Sequence, residues 1–334
     1  MVVIGYDRSS MGMQGLWFAI GLTGLYYAAE WLVRGSSRIA RAFGVTPIVV
    51  GMTVVAFGTS APELVVSAVA AVGDQSDVAV GNVLGSNIMN IALILGICAL
   101  MVPIRIDRAF IRREIPIMIA VAFVVPVIAW DGWISRFEAF LLVLGFVVFT
   151  VTSIRSTRLE PAEAQDEFRG FEETVGLEPG PGEKLWFDGV LVVAGILGLV
   201  VSAHLLVTAA VFFAREFGVS ELVVGLTIVA VGTSLPELAT SIVAARRNEP
   251  EIALGNVVGS NICNVLLILG VAAAIRPISV APSLMRFEIP VSIAVAVVLV
   301  PLMYPRARLG RFGGAVLVLC YVAFTVVLLW QAQP

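Results

Sequence analysis

Residues 55–63 read VAFGTSAPE and residues 229–237 read VAVGTSLPE. Each sets a proline and a glutamate into an otherwise apolar run, and the offset between them, 174 positions, holds far beyond the two stretches. RAFGV at 41–45 meets REFGV at 215–219, and GNVLGSNIMNIALILG at 81–96 meets GNVVGSNICNVLLILG at 255–270, with 12 of 16 residues identical. Arg112, Glu114, Ile115 and Pro116 likewise meet Arg286, Glu288, Ile289 and Pro290. An internal repeat of this kind governs the architecture and is read before anything else.

The surrounding chain is oily. Of its 334 residues 59% are hydrophobic and 13% charged, with a mean hydropathy of +0.99, a balance outside that of soluble domains. A spanning helix needs roughly 20 mostly apolar residues. Such windows fall near 11–33, 47–71, 79–101, 113–130, 137–154, 186–213, 221–244, 252–274, 287–304 and 312–331, which predicts ten transmembrane helices. The first window is too long for a signal peptide and lacks its small-residue cleavage site, so it is read as a true span. Alternating ten-residue β-barrel segments are absent, leaving an all-α polytopic membrane protein. Cys98, Cys263 and Cys320 lie within spans at no metal or redox spacing and read as packing residues.

Five helices precede the polar stretch 155–185 and five follow it. An odd number makes the second copy enter the bilayer from the opposite side, so residues 1–154 and 186–334 are predicted to be two inverted five-helix repeats. The repeated cores cover about 47–101 and 221–274. Inverted repeats are a common build for secondary transporters, with ion sites near the midplane at interrupted helices. Residues 155–184, with eight acids against four bases, read as a solvated cytoplasmic linker, too short for a domain of its own. With the N-terminus outside, 16 of the 21 basic residues fall in inside segments and 5 in outside ones, so both termini are predicted to be extracytoplasmic. The setting implied is a cell (plasma or inner) membrane.

Thr59, Ser60 and Glu63 are spaced to share one helix face. Pro62 has no N–H and crowds the carbonyl of Gly58, which opens the helix and frees carbonyls near Gly58 and Thr59. Thr233, Ser234, Pro236 and Glu237 repeat the arrangement. A carboxyl at mid-membrane is costly, by about 3 kcal/mol on insertion scales, and so faces a bundle interior or a pathway. The plain alternative is two satisfied interhelical hydrogen bonds, and the duplication in one kinked setting favours a pathway. Ser86 with Asn90 and Ser260 with Asn264 add i, i+4 polar pairs that line the same cavity, whereas Asn82, Asn87, Asn256 and Asn261 read as interhelical glue. Gly81 with Gly85, and Gly255 with Gly259, allow close helix approach. These groups are nearly all oxygen donors, and the sole histidine, His204, has no sequence neighbour to join. A hard cation is therefore the natural ligand, and Ca²⁺ takes roughly 6–8 oxygens. Two ionised Glu balance one Ca²⁺ or two Na⁺, which permits competition for a single site.

The paired motifs GTSAPE and GTSLPE, each followed by GNVxGSNIxN, resemble the two α-repeats of the sodium/calcium exchanger superfamily of cation/calcium antiporters, prokaryotic type, over nearly the whole membrane part. The resemblance implies Na⁺/Ca²⁺ antiport by alternating access. It makes Glu63 and Glu237 shared ligands of Ca²⁺ and Na⁺, with the Thr59 and Thr233 carbonyls completing the Ca²⁺ site. It places Ala56, Ser60 and Ser260 at one outlying Na⁺ site and Ala230, Ser234 and Ser86 at the other. Asn90 and Asn264 take the remaining central positions. Several relatives carry an aspartate at one of them, and potassium-dependent members commonly carry acids, so the double Asn departs from those patterns and argues against a K⁺ requirement. The family's usual three Na⁺ per Ca²⁺ would set +3 against two Glu charges.

Three other functions fit less well. An H⁺/Ca²⁺ antiporter of the same fold is the alternative, since a Glu withdrawn from water could carry protons, but Ser60, Ser86, Ser234 and Ser260 serve Na⁺ and are unnecessary for a proton. An intramembrane hydrolase built on two carboxylates lacks a recognisable nucleophile or metal triad. A channel would pass ions without coupling. No enzyme activity, cofactor or nucleic-acid partner is expected; the partners are Ca²⁺, Na⁺ and the lipid bilayer, and the chain is expected to work as a monomer. Glu30 is expected to pair with Arg34 four residues on.

Overall fold

The computed structural model describes residues 8–43, 45–157, 185–217, 230–304 and 307–331. In order these form α1 (Arg8–Phe43), α2 (Ile48–Thr59), α3 (Ala61–Val72), α4 (Ser76–Met101), β1 (Ile104–Arg105), α5 (Arg108–Ile128), β2 (Trp133–Ile134) and α6 (Arg136–Thr157). The second half supplies α7 (Leu185–Glu216), α8 (Ala230–Thr233), α9 (Leu235–Arg246), α10 (Pro250–Ile275), β3 (Ile278–Ser279), α11 (Pro282–Met303), β4 (Arg308–Leu309) and α12 (Arg311–Gln331). Among the described residues seven helices are long and apolar enough to cross a membrane, or eight with the bent pair α2–α3 taken as one span. The sequence windows number ten. α5 falls short because Arg112, Arg113 and Glu114 crowd its first turns, and the apolar arm expected before α8, residues 221–229, lies outside the described residues.

Hydrophobic residues face two ways here, toward protein and toward lipid. α4 and α10 form the centre, with 78% of their apolar windows buried, against 17% for α12 and 22% for α6 on the rim. Their small residues explain the difference. A Cβ placed on Gly51 would lie 2.8 Å from the Ile252 carbonyl, and one on Gly259 would meet the Met52 carbonyl, so α2 and α10 cross backbone to backbone. α1 and α7 make a second close pair. A Cβ on Gly195 would sit 2.7 Å from Leu32 N, and one on Gly21 2.8 Å from Leu206 N. Trp130, Trp186 and Trp330 stand exposed at helix ends, as interface anchors do.

Two short antiparallel pairs reveal how the halves are related. β1 pairs with β4 and β2 with β3, and β1 and β2 flank opposite ends of α5. Exchanging the halves carries β1 to β3 and β4 to β2, so the operation that superposes the repeats also swaps the two ends of the bundle. Each ladder thus joins one strand of each half.

One local expectation is corrected. Glu30 is bound by Arg247, with Arg247 Nε donating to Glu30 Oε2 at 2.8 Å, rather than by Arg34. The interhelical partner wins because it draws Glu30 into a part-buried contact. At the start of α5 the cap is Asp107, whose Oδ1 accepts from Ala109 N at 2.8 Å, and Glu114 lies further along, buried. The linker window 155–185 begins in the last turn of α6, and residues 158–184 lie outside the described residues.

Candidate cation-binding site

The proline acts as its chemistry requires. α2 ends at Thr59, Ser60 leaves helical geometry (φ −81°, ψ 8°), and α3 starts with Pro62 in its first turn, the two arms meeting at 46°. Two backbone bonds cross the break, Ser60 N to Ala56 O at 3.0 Å and Leu64 N to Ser60 O at 3.1 Å. Neither the Gly58 nor the Thr59 carbonyl receives one of them. In the second copy Ser234 takes the same geometry (φ −92°, ψ 11°) between α8 and α9.

The two breaks face each other and exchange contacts. Ser60 Oγ donates to Glu237 Oε1 at 2.9 Å, and Ser234 Oγ donates to Glu63 Oε1 at 2.9 Å. Ser260 Oγ lies 3.1 Å from Ser60 Oγ, and Ser86 Oγ lies 3.2 Å from Ser234 Oγ and 3.5 Å from Glu63 Oε1. Since Ser60 and Ser234 spend their protons on the carboxyl groups, Ser260 is left as the donor to Ser60, and the single proton of Ser86 goes either to Ser234 or to Glu63 Oε1. Reciprocal bonds of this kind place the approximate two-fold axis between the carboxylates.

Among the described residues, four buried oxygens at paired positions accept nothing. Glu63, Glu237 and Asn90 are fully buried and Asn264 is 1% exposed, yet Glu63 Oε2, Glu237 Oε2, Asn90 Oδ1 and Asn264 Oδ1 find no hydrogen-bond partner there. Leaving a buried acceptor unpaired costs about 1–3 kcal/mol, more if it is charged. Four such oxygens at paired positions suit a cation that replaces the missing donors. No trio of His, Cys, Asp and Glu forms among the described residues, so a site for thiolate- or imidazole-bound metals is not built there.

Other positions singled out in the sequence fall differently. The Thr59 hydroxyl lies 3.1 Å from Asn256 Oδ1 and also within reach of the Glu237 carboxyl. The Ala56 carbonyl already accepts from Ser60 N and from Thr59 Oγ1 at 3.3 Å. Ala230 and Thr233 open and close α8. Asn82 Nδ2 donates to Glu63 O at 3.1 Å and to Ser67 Oγ at 2.9 Å, while Asn256 Nδ2 donates to Glu237 O at 3.5 Å and Ser241 Oγ at 3.1 Å. These amides brace the backbone that carries the carboxylates.

Asn87 joins helices as expected, accepting from Asn264 Nδ2 at 2.9 Å and donating to Asn261 O at 3.3 Å. Sequence reasoning missed two features. Ser67 and Ser241 anchor the bracing amides, and their signal was available, each lying four residues after its Glu at the same repeat offset. π-helical turns at Met89–Leu95 and Asn264–Leu269 widen α4 and α10 where Asn90 and Asn264 project, a feature common at functional sites.

Comparison with known proteins identifies the family. The family model described as "Sodium/calcium exchanger protein" matches residues 13–155 and 188–330, most of the chain and both halves of it. The chain belongs to this exchanger family. The sodium/calcium exchanger MaX1 of Methanosarcina acetivorans is 34% identical over 343 residues, covering 93% of this chain and 97% of MaX1. The inner membrane protein YrbG of Escherichia coli (strain K12) is 35% identical over 316 residues, covering 93% and 95% respectively. A solved structure of the sodium-calcium exchanger NCX_Mj, soaked with zero Na⁺ and Ca²⁺, matches with a TM-score of 0.80 at 31% identity, over 94% of this chain and 98% of that one. This exchanger is accordingly a multi-pass membrane cation/Ca²⁺ antiporter and not an enzyme, and the ions are its substrates.

Proposed function

We propose that the protein exchanges Na⁺ for Ca²⁺ by alternating access at a midplane site, with ten transmembrane helices arranged as two inverted five-helix repeats, 1–154 and 186–334, and both termini outside the cell. The observation that carries this reading is the set of four unpartnered buried oxygens on Glu63, Glu237, Asn90 and Asn264. Two carboxylates neutralise one Ca²⁺ or two Na⁺, and the Thr59 and Thr233 carbonyls extend the shell toward the six or more oxygens that Ca²⁺ prefers. The four serines favour Na⁺ over H⁺, because they add hydroxyl oxygens on both flanks of the carboxylates. One chain holds both halves of the cage, which suits a functional monomer. Vesicles loaded with Na⁺ and diluted into Na⁺-free medium are expected to accumulate radiolabelled Ca²⁺. Accumulation driven by a pH gradient without Na⁺ would instead identify a proton exchanger, and downhill leak without coupling a channel.

The moving part is assigned to the α1–α7 pair. α7 lays Ile196 over Gly58 and Val207 over Gly232, so its sliding would cover or uncover either motif glycine. This pair is tied to the turn after α9 by Glu30 with Arg247 and by Ser37 with Glu249. At the repeat offset the four residues become His204, Gly73, Val211 and Gln75, which cannot reproduce the ion pair. The latch therefore closes one side only, the cytoplasmic one in the proposed orientation. Arg247→Gln is expected to raise the labelling of a cysteine introduced on that side by a membrane-impermeant reagent about 2- to 5-fold, the effect of ~0.5–1 kcal/mol for a partly exposed pair. Unchanged labelling would remove the latch from the cycle.

A further inference from the structure

At one end of the bundle, four arginines meet without partners. Arg105 on β1 stands directly opposite Arg308 on β4. Arg108 and Arg112, one turn apart on α5, line a cavity of about 140 Å³ with Ile111 and Tyr304. All four arginines are exposed, and among the described residues none makes an ion pair or side-chain hydrogen bond. The nearest acid in sequence, Asp107, spends its carboxylate on the cap of α5. Like charges opposite one another on a ladder, and like charges at i, i+4 on a helix, are each destabilising. The chain has placed one of each near the start of α5, the helical pair lining the hollow and the ladder pair just before it in sequence.

The fold does not require them. The equivalent ladder at the opposite end sets Trp133 against Ser279, and at the repeat offset Arg108 becomes Pro282. Only Arg112 has a basic counterpart, Arg286. A general excess of basic residues on the inner face accounts for positive charge there, but not for one unpaired arginine pair lining a cavity and a second facing pair on the ladder beside its helix. Guanidinium groups offer planar, paired donors that fit phosphate oxygens, and basic pockets between helices at the cytoplasmic surface take acidic lipid headgroups. At about 140 Å³, against about 30 Å³ per water in the liquid, the cavity admits a phosphate group.

We propose that Arg105, Arg108, Arg112 and Arg308 with Tyr304 form a binding site for a phosphate-bearing anion, supplied either by an acidic phospholipid headgroup or as free phosphate. Its position at the inner leaflet rests on the orientation proposed above, whereas its anion chemistry does not. The test is therefore made in detergent, where sidedness and transport play no part. The full chain is melted in mixed micelles with short-chain phosphatidylglycerol, with short-chain phosphatidylcholine, or with inorganic phosphate against chloride at equal ionic strength.

A melting temperature several degrees higher with phosphatidylglycerol than with phosphatidylcholine is expected. The rise should be lost in R108Q/R112Q and retained in R286Q, which removes one charge at the repeat-related place. The same pattern with inorganic phosphate alone would support the site and assign it to a free anion. No rise in the native chain with either anion, or an equal rise in R108Q/R112Q, overturns the proposal. Because the lost residues are exposed, unpaired and mutually repelling, the double variant should melt at or slightly above the native temperature without anion. A native melt combined with an unchanged anion response counts against the site. Loss of Na⁺-driven Ca²⁺ uptake in the native protein would overturn the exchange reading and leave this result standing.

Discussion

Glu63→Gln and Glu237→Gln are each expected to lower Na⁺-driven Ca²⁺ uptake by about three powers of ten while leaving the protein folded. The amide is nearly isosteric and its oxygen can still accept from Ser234 or Ser60, the bonds now made at 2.9 Å. What vanishes is one negative charge at a fully buried position. A unit charge pair 4 Å apart is worth about 4 kcal/mol at the effective dielectric of about 20 that describes such sites, and every 1.4 kcal/mol is tenfold. A divalent ion loses more than this single-charge figure, so about three powers of ten is the lower bound for Ca²⁺, and the new amide N–H₂ turns a donor toward it. Thermal melting in the absence of Ca²⁺ should not fall, since an unpartnered buried carboxylate is a cost rather than a support. Because the two breaks are related by an approximate two-fold axis, both variants should lose activity to a similar extent. Uptake within a few-fold of native in either one would remove the carboxylates from the transport site.

Much of this was legible because a membrane restricts the choices. Backbone groups in lipid must be satisfied within helices, so apolar windows mark α1, α4, α6, α7, α10 and α12 almost directly. The 174-residue repeat then singled out residues that the fold brings together, since Ser60, Glu63, Ser86 and their partners recur together, and the hydrogen bonds join those very groups across the two halves. Less legible were contacts that depend on how helices rotate. Asn87 and Asn90 lie three apart on α4, and nothing in their spacing reveals that Asn87 takes the Asn264 amide while both polar atoms of Asn90 stay free. The π-turns are equally hidden, since the turn in α4 lies against α12 and the one in α10 against α6, neighbours that the sequence does not reveal. Glu30 misled for a related reason. Its i+4 neighbour Arg34 was visible in the sequence, but Arg247, 217 positions away, reaches it in space. The Ala56 carbonyl is the clearest example of conformation outranking sequence, because its hydrogen bonds to Ser60 and Thr59 belong to this arrangement of the break.

Gly259→Ala is expected to damage the fold and the site together, although it adds a single methyl group. The new Cβ would have Met52 Cα, C and O as its nearest neighbours, with C at 2.7 Å, and backbone atoms cannot rotate aside as a side chain would. The same holds around Gly255, where a Cβ would lie 3.1 Å from Met52 N, and around Gly51, 3.1 Å from Asn256 N. α2 and α10 must therefore separate along the whole crossing. Overpacking of this kind costs about 1–3 kcal/mol, occasionally more. Function suffers beyond stability because the cage is built on the adjoining residues. Asn256 follows Gly255 and is held 3.1 Å from Thr59 Oγ1, while Ser260 follows Gly259 and lies 3.1 Å from Ser60 Oγ. A separation of even 1 Å stretches both contacts past hydrogen-bond range and detaches the Thr59–Glu63 break from its partner. Gly259→Ala should thus extract from membranes with a lowered melting temperature and show little Ca²⁺ uptake even in the fraction that is folded. Gly189→Ala on α7, where an added Cβ meets no described atom within 4 Å, provides the comparison, and should melt at or above the native temperature with native uptake. If Gly259→Ala melts and transports like Gly189→Ala, close approach of α2 and α10 is not what holds the two halves of the site together.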